Sequence, residues 1–260
     1  MQGTPDTLKY FQPISLKEMD SVSLMDRVDT KYIISIEQLS HVLKTISPSY
    51  MIMEELGIRD FPYRNIYFDT DDKQLFLSHH NGRALRYKIR IREYSAFHKV
   101  FLEIKKKFKG RTIKSRLLLS ENGSIEQFGE LEALSVEFLD FIKQKIPYTA
   151  NLLQESIKNE FMRITLVHKD MQERITIDTD LHFRTPDTRK GTLPDIAVVE
   201  IKKNGHSGTH PFQAELKRLG IRPSSMSKYC LGSISLFPEL KYNNFKNINL
   251  NIERIAHAGI

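Results

Sequence analysis

The chain has 260 residues, enough for one large domain with a full core or for two small ones. Hydrophobic residues make up 40% and charged residues 27%, which excludes a disordered chain and fits a soluble globular one. The 39 Lys and Arg against 32 Asp and Glu give a formal charge of +7, suited to nucleic acid, phosphorylated ligands or anionic membrane surfaces.

Residues 1–20 carry Pro5 and Pro13 and read as a loose leader with one short amphipathic turn at most. Arg27 to Ile34 alternates as a strand, with Arg27, Asp29 and Lys31 sharing a face. Ser35 followed by Gln38 forms a capping box, and Ile36, Leu39, Val42, Leu43 and Ile46 supply a helical stripe that ends near Pro48. Tyr63 to Thr70 is rich in aromatic and β-branched residues and reads as a strand. Leu75 to His79 is expected to form a short strand or turn, and Asn81-Gly82 a hairpin turn.

The next strand places Arg86, Lys88, Arg90 and Arg92 on one face and Leu85, Tyr87, Ile89 and Ile91 on the other. Its successor sets Phe101, Glu103, Lys105 and Lys107 against Leu102, Ile104 and Lys106, and a third strand puts Lys114 and Arg116 together. Residues 124–157 keep helical spacing from Ile125 to Ile142 and separate two strand-rich halves. Strands resume around Arg163, then with Arg174, Thr176 and Asp178 opposite Ile175 and Ile177. Val198, Glu200 and Lys202 follow, opposite Val199, Ile201 and Lys203. Pro211 to Leu219 is a helix with Pro at its start and Gly220 beyond its end, a second helix spans Ser227 to Ser235, and the polar tail from 238 has no assignment.

Four consecutive same-face cations repel one another unless a polyanion lies opposite them. Nearly every strand carries Arg or Lys at its centre with apolar neighbours on the other face, and EIKK occurs in both halves, at Glu103–Lys106 and Glu200–Lys203. An α+β fold meets this pattern if the strands close into a barrel. The charged faces then line a tunnel, and helices cover the apolar faces.

In order along the chain, RVDTKY, IYFDT, RYKIRIREY, VFLEIKKK, KSRL, FMRITL, ERITIDTDL, VVEIKK and SMSKY resemble the VTC-type polyphosphate polymerase domain. That family is a branch of the triphosphate tunnel metalloenzyme, or CYTH-like, superfamily. The resemblance implies an antiparallel eight-stranded β-barrel over residues 27–237, with helices outside, a leader over 1–26 and a tail over 238–260. It implies phosphate-binding cations at Lys31, Arg90, Arg92, Lys105, Lys114, Arg163, Arg174 and Lys228, with Lys202 a further contact. Glu200 matches the metal-binding carboxylate, and Glu103 and Asp178 are weaker candidates; the metal is divalent, Mn²⁺ or Mg²⁺. The implied activity is transfer of the γ-phosphoryl of ATP to inorganic polyphosphate with release of ADP. The adenylyl cyclase and thiamine triphosphatase branch carries ExExK where this chain has Arg27-Val28-Asp29-Thr30-Lys31, which keeps the Lys but not the first carboxylate.

Two alternatives remain open at this point, a tunnel triphosphatase and a non-catalytic polyanion-binding protein. Nucleic acid is not an expected partner, because Glu103 and Glu200 sit inside the basic strands. No apolar run reaches the length of a membrane span, no signal-peptide pattern opens the chain, and the single Cys230 excludes an intramolecular disulfide; a cytoplasmic location is expected. His206 and His210 have metal-compatible spacing but no third ligand nearby in sequence, so a flexible polar loop is expected there. Cys230 is expected to be packed, and His79-His80 to lie in a turn.

Overall fold

The computed structural model describes residues 6–20, 27–128, 136–146, 152–205, 208–225 and 227–257. Eleven strands share one sheet: β1 (Gln12–Ile14), β2 (Arg27–Ser35), β3 (Tyr50–Met53), β4 (Asp60–Asp69), β5 (Leu85–Tyr94), β6 (Lys99–Phe108), β7 (Arg111–Ser120), β8 (Gln154–His168), β9 (Glu173–Arg184), β10 (Lys190–Leu193) and β11 (Ile196–Asn204). The main path holds eight of them in the order β2-β11-β9-β8-β4-β5-β6-β7, every neighbouring pair antiparallel. This is the expected α+β tunnel architecture, with one difference. Among the described residues, the end strands β2 and β7 form no ladder with each other, so the sheet is a curled half-barrel. The short β1 pairs with β3 in parallel, outside the main path.

The outer faces of the strands are apolar, as their alternation requires, and among the described residues seven helices are available to cover them. Helix α2 (Ile36–Ile46) starts at the expected capping box, with Ser35 accepting from the Gln38 backbone N–H at 3.0 Å and the Gln38 side chain accepting from the Ser35 N–H. With α5 (Pro211–Arg218), it packs Leu39, Val42, Leu43, Phe212 and Leu216 on Ile34, Ile175, Ile177, Val199 and Ile201. Each such fully buried side chain contributes about 1.5–3 kcal/mol. Helix α4 (Val136–Lys145) does the same with Phe138 and Ile142 over Ile89, Ile91, Leu102 and Ile104. Helix α6 (Lys228–Leu236) buries Tyr229, Cys230 and Leu231 in a third cluster, so Cys230 is packed as expected.

Six segments differ from their sequence reading. The leader is not loose over residues 6–20: a 3-10 turn (Asp6–Tyr10), β1 and α1 (Leu16–Asp20) bury Leu8, Phe11, Ile14 and Met19. Leu75 to His79 belongs to a helix, α3 (Gln74–His80), because the buried Asp69 carboxylate accepts the N–H groups of Leu75 and Phe76 at 2.8 and 2.9 Å. Asn81-Gly82 consequently ends a helix, with Gly82 at φ +64°, and does not join two strands. Residues 154–157, expected to be helical, already belong to β8. The tail contains α7 (Lys246–His257), which buries Ile252 in the cluster around α6. His206 lies outside the described residues, whereas His210 is no flexible loop: it precedes α5 directly and is 7% exposed.

Candidate active site in the basic tunnel

The inner faces of the curled sheet enclose a cavity of about 1470 Å³ lined by fifteen Lys and Arg side chains and three carboxylates, Asp29, Glu103 and Glu200. Strand register sets these residues in rows. On one wall Arg174 lies beside Lys202 and Asp29, and Thr176 beside Glu200 and Lys31. On the facing wall Lys88 lies beside Lys105 and Lys114, and Arg90 beside Glu103 and Arg116. Lys228 enters at the first turn of α6, whose N-cap Ser227 accepts from the Cys230 N–H. Eleven of the twelve residues expected from sequence line the cavity, and the twelfth, Asp178, is buried and ion-paired with two of them, Arg163 and Lys228.

The acidic groups differ in how completely the cations occupy them. Glu103 takes Arg90 on Oε2, through Nε at 2.9 Å and Nη2 at 2.5 Å, and Lys114 on Oε1, with Tyr94 also donating to Oε1 at 3.3 Å. Asp178 holds Arg163 in a bidentate pair at 2.5 and 2.7 Å, and its Oδ2 also takes Lys228. Glu200 is less crowded: Oε1 accepts from Lys31 at 2.8 Å, while Oε2 has only Lys202 at 3.6 Å. That leaves one hard oxygen facing the cavity, as a divalent cation would require.

Burial alone would raise all three carboxyl pKa values, but the cations override it. Arg90, Arg92 and Lys114 hold Glu103 far below the usual carboxylate range, and Arg163 and Lys228 pull Asp178 down to about 2. Lys202, Lys31 and Lys105 hold Glu200 well below its ordinary value. The cations feel the converse effect. Repulsion from Arg90, with burial, brings Lys105 well below the ordinary lysine range. Burial brings Lys202 down to about 8, with Glu200 opposing it, and lowers Lys88 as well.

Aromatic rings and amides fix several of these groups. The Arg163 guanidinium lies 4.7 Å and that of Arg92 5.3 Å from the Tyr63 ring centroid. Arg92 Nε donates to Asn65 Oδ1 at 2.7 Å, and Asn65 Nδ2 donates in turn to Asn159 Oδ1 at 2.8 Å. Among the described residues, Lys88, Lys105 and Arg174 are in no ion pair with a carboxylate, which leaves their charges available to an anion. Lys88 shared a face with Arg90 in the sequence pattern but was not singled out as a site residue; its place between Arg86 and Arg90 is the signal that marks it.

A family model described as VTC domain matches residues 26–237 of the chain. Among solved structures, a Bacillus halodurans protein described as a candidate adenylate cyclase is 20% identical, with a TM-score of 0.51 over 78% of this chain and 94% of that one. A Vibrio parahaemolyticus protein with the same description is 10% identical, with a TM-score of 0.44 over 80% of this chain and 97% of that one. At 20% identity the likeness to the Bacillus halodurans protein concerns the fold alone. The comparison with curated proteins found no match.

Proposed function

Because the chain belongs to the VTC domain family, we propose that it transfers the γ-phosphoryl group of ATP onto a growing inorganic polyphosphate chain inside the tunnel. A terminal phosphate oxygen of that chain forms the new bond to the γ-phosphorus. The bond from the γ-phosphorus to the β–γ bridging oxygen breaks, and ADP leaves with that oxygen. Such a reaction needs positioning and charge neutralisation more than covalent work by the protein. Arg90, Arg92, Arg163 and Arg174 supply planar forks for phosphate oxygens, while Lys31, Lys105, Lys114, Lys202 and Lys228 supply point charges. The cavity of about 1470 Å³ exceeds the roughly 300–1,000 Å³ of ordinary small-molecule pockets, leaving room for a nucleotide and a second phosphate chain.

One observation favours transfer to phosphate over hydrolysis. Glu103, Asp178 and Glu200 are all held below the normal carboxylate range, so none is tuned to take a proton from water near neutral pH. A phosphate acceptor arrives already deprotonated and needs no such base.

Glu200 fits a divalent ion, Mn²⁺ or Mg²⁺, because its Oε2 faces the phosphate-binding cations without a close partner. Such an ion, when bound, supplies Lewis-acid neutralisation of phosphate oxygens. Glu103 and Asp178, with every oxygen already engaged, act in this reading as the counter-charges that position Arg90, Lys114, Arg163 and Lys228. The test is purified protein with ATP and Mn²⁺ or Mg²⁺, following ADP, free phosphate and long-chain polyphosphate together. A polyphosphate ladder with matching ADP is expected, and Glu200→Gln should lower metal-dependent turnover by about a hundredfold or more, on the scale of losing one charge-stabilising contact. Free phosphate without a ladder would replace this reading with a tunnel triphosphatase. Tight tripolyphosphate binding with neither product would leave a polyanion-binding protein.

A further inference from the structure

A second cluster of ligand-type side chains lies outside the tunnel, where the turn between β8 and β9 meets the start of α5. His168 ends β8, Asp170 occupies the turn, and His210 immediately precedes α5. Their ligand-type atoms all lie within 4.8 Å of one another. His168 Nδ1 is 2.7 Å from Asp170 Oδ1, His210 Nε2 is 3.8 Å from Asp170 Oδ2, and the two imidazole centroids are 4.6 Å apart. His168 and Asp170 share one turn, but His210 lies some forty residues further along the chain, so no local spacing announces the full cluster.

Behind His210 stands Glu173, the first residue of β9 and fully buried. Its Oε1 accepts from the Tyr50 hydroxyl at 2.5 Å and lies 3.7 Å from His210 Nδ1. Glu173 Oε2 and His210 Nδ1 have no hydrogen-bond partner, although the two side chains are only 0% and 8% exposed. Buried polar atoms are rarely left so without a reason. One that fits is a histidine whose Nε2 faces an ion and whose Nδ1–H turns toward a carboxylate, the arrangement that orients metal-bound imidazole.

We propose that His168, Asp170 and His210 bind one divalent transition-metal ion of the zinc class, with Glu173 orienting His210. Tetrahedral zinc with bonds of about 2.0–2.2 Å sets its ligand atoms about 3.3 Å apart. The cluster brackets that spacing. Asp170 and His168 are 43% and 19% exposed, which gives an ion a way in and leaves the fourth position to water. Two imidazoles select zinc, cobalt or nickel, whereas the carboxylate oxygen that Glu200 offers in the tunnel suits Mg²⁺ or Mn²⁺. An ion here ties the β8–β9 turn to α5 beside Arg174, which follows Glu173 and faces the tunnel.

The test uses the full chain stripped of metal, titrated with Zn²⁺ by calorimetry and with Co²⁺ by visible absorption. One ion per chain is expected, bound equally well by Glu200→Gln, since that site is separate. Asp170→Asn and His168→Gln, both on the more exposed side, should each weaken binding about tenfold or more. His210→Gln should do the same if it folds, but the proposal does not depend on that buried variant. Zn²⁺ at a hundredfold excess over its Kd should raise Tm by roughly 5 °C or more. Absence of stoichiometric Zn²⁺ binding overturns the proposal. So does binding that survives both Asp170→Asn and His168→Gln, or that disappears in Glu200→Gln.

Discussion

At Lys202 the tunnel keeps a cation close to losing its proton. Burial pulls its pKa to about 8, and Glu200 at 3.6 Å only partly restores it. Between about pH 8 and the ordinary lysine value of 10.5, the unfolded chain binds this proton and the folded chain does not. The Lys202 contribution to stability therefore rises with pH across that window, while its contribution to anion binding falls. Metal-free tripolyphosphate affinity should accordingly weaken between pH 7 and 9, and Lys202→Met should bind more weakly at pH 7 with a flatter profile. Calorimetric Kd values at four pH points check this, and an unchanged slope in Lys202→Met would assign the titration to another group. Residue identities were readable from sequence because strand alternation sends Lys31, Arg90, Glu103, Arg163 and Glu200 to one side. Their pairing was not. Lys114 stands opposite Lys105 in the ladder yet bonds diagonally to Glu103, and Asp178 is shared between Arg163 on its neighbouring strand and Lys228 on a distant helix.

Among the elements, α6 carries Lys228 to the tunnel, and one residue governs how close it comes. A methyl group on Gly232 would overlap the side chains of Phe183 and Ile157, so only glycine lets the helix lie this near β8 and β9. Gly232→Ala should cost about 1–3 kcal/mol by overpacking, measured by urea unfolding, and should weaken tripolyphosphate binding by displacing Lys228. Loss of stability with unchanged affinity would show that the helix yields without moving its first turn. Elements with local signals were legible. The capping box of α2 and the Pro211 and Gly220 that bracket α5 lie within a few residues of the backbone they control. Those fixed by distant partners were not. Helix α3 depends on the buried Asp69 carboxylate, itself bound by the Tyr229 hydroxyl from α6. The leader strand β1 exists through its pairing with β3, and α7 through burial of Ile252, with Phe245 of the preceding turn, beside α6.

For the whole molecule, alternation was enough to anticipate a tunnel, but not its open side. No sequence pattern says whether β2 and β7 meet, because edge pairing depends on the curl accumulated over all eight strands. The charge distribution has a larger consequence. Among the described residues fifteen basic side chains and three carboxylates face one cavity, and the self-repulsion of such a cavity is relieved by an anion. Any ligand that binds only the folded state stabilises it by about 2.7 kcal/mol at a hundredfold excess over Kd. For a chain of this size that is roughly 5–10 °C in Tm. Tripolyphosphate should produce this shift in the absence of metal, and orthophosphate at the same concentration much less, because a single phosphate reaches only one row of cations. Higher salt should shrink the effect by screening the charges near the open side. Glu200→Gln should bind metal-free tripolyphosphate at least as tightly as the wild type, since it removes a negative charge from the cavity while Lys31 and Lys202 remain. Thermal scans over a concentration series at two ionic strengths decide the matter. Equal shifts from tripolyphosphate and orthophosphate would mean that the tunnel reads isolated phosphates, and an extended polyanion would no longer be its ligand.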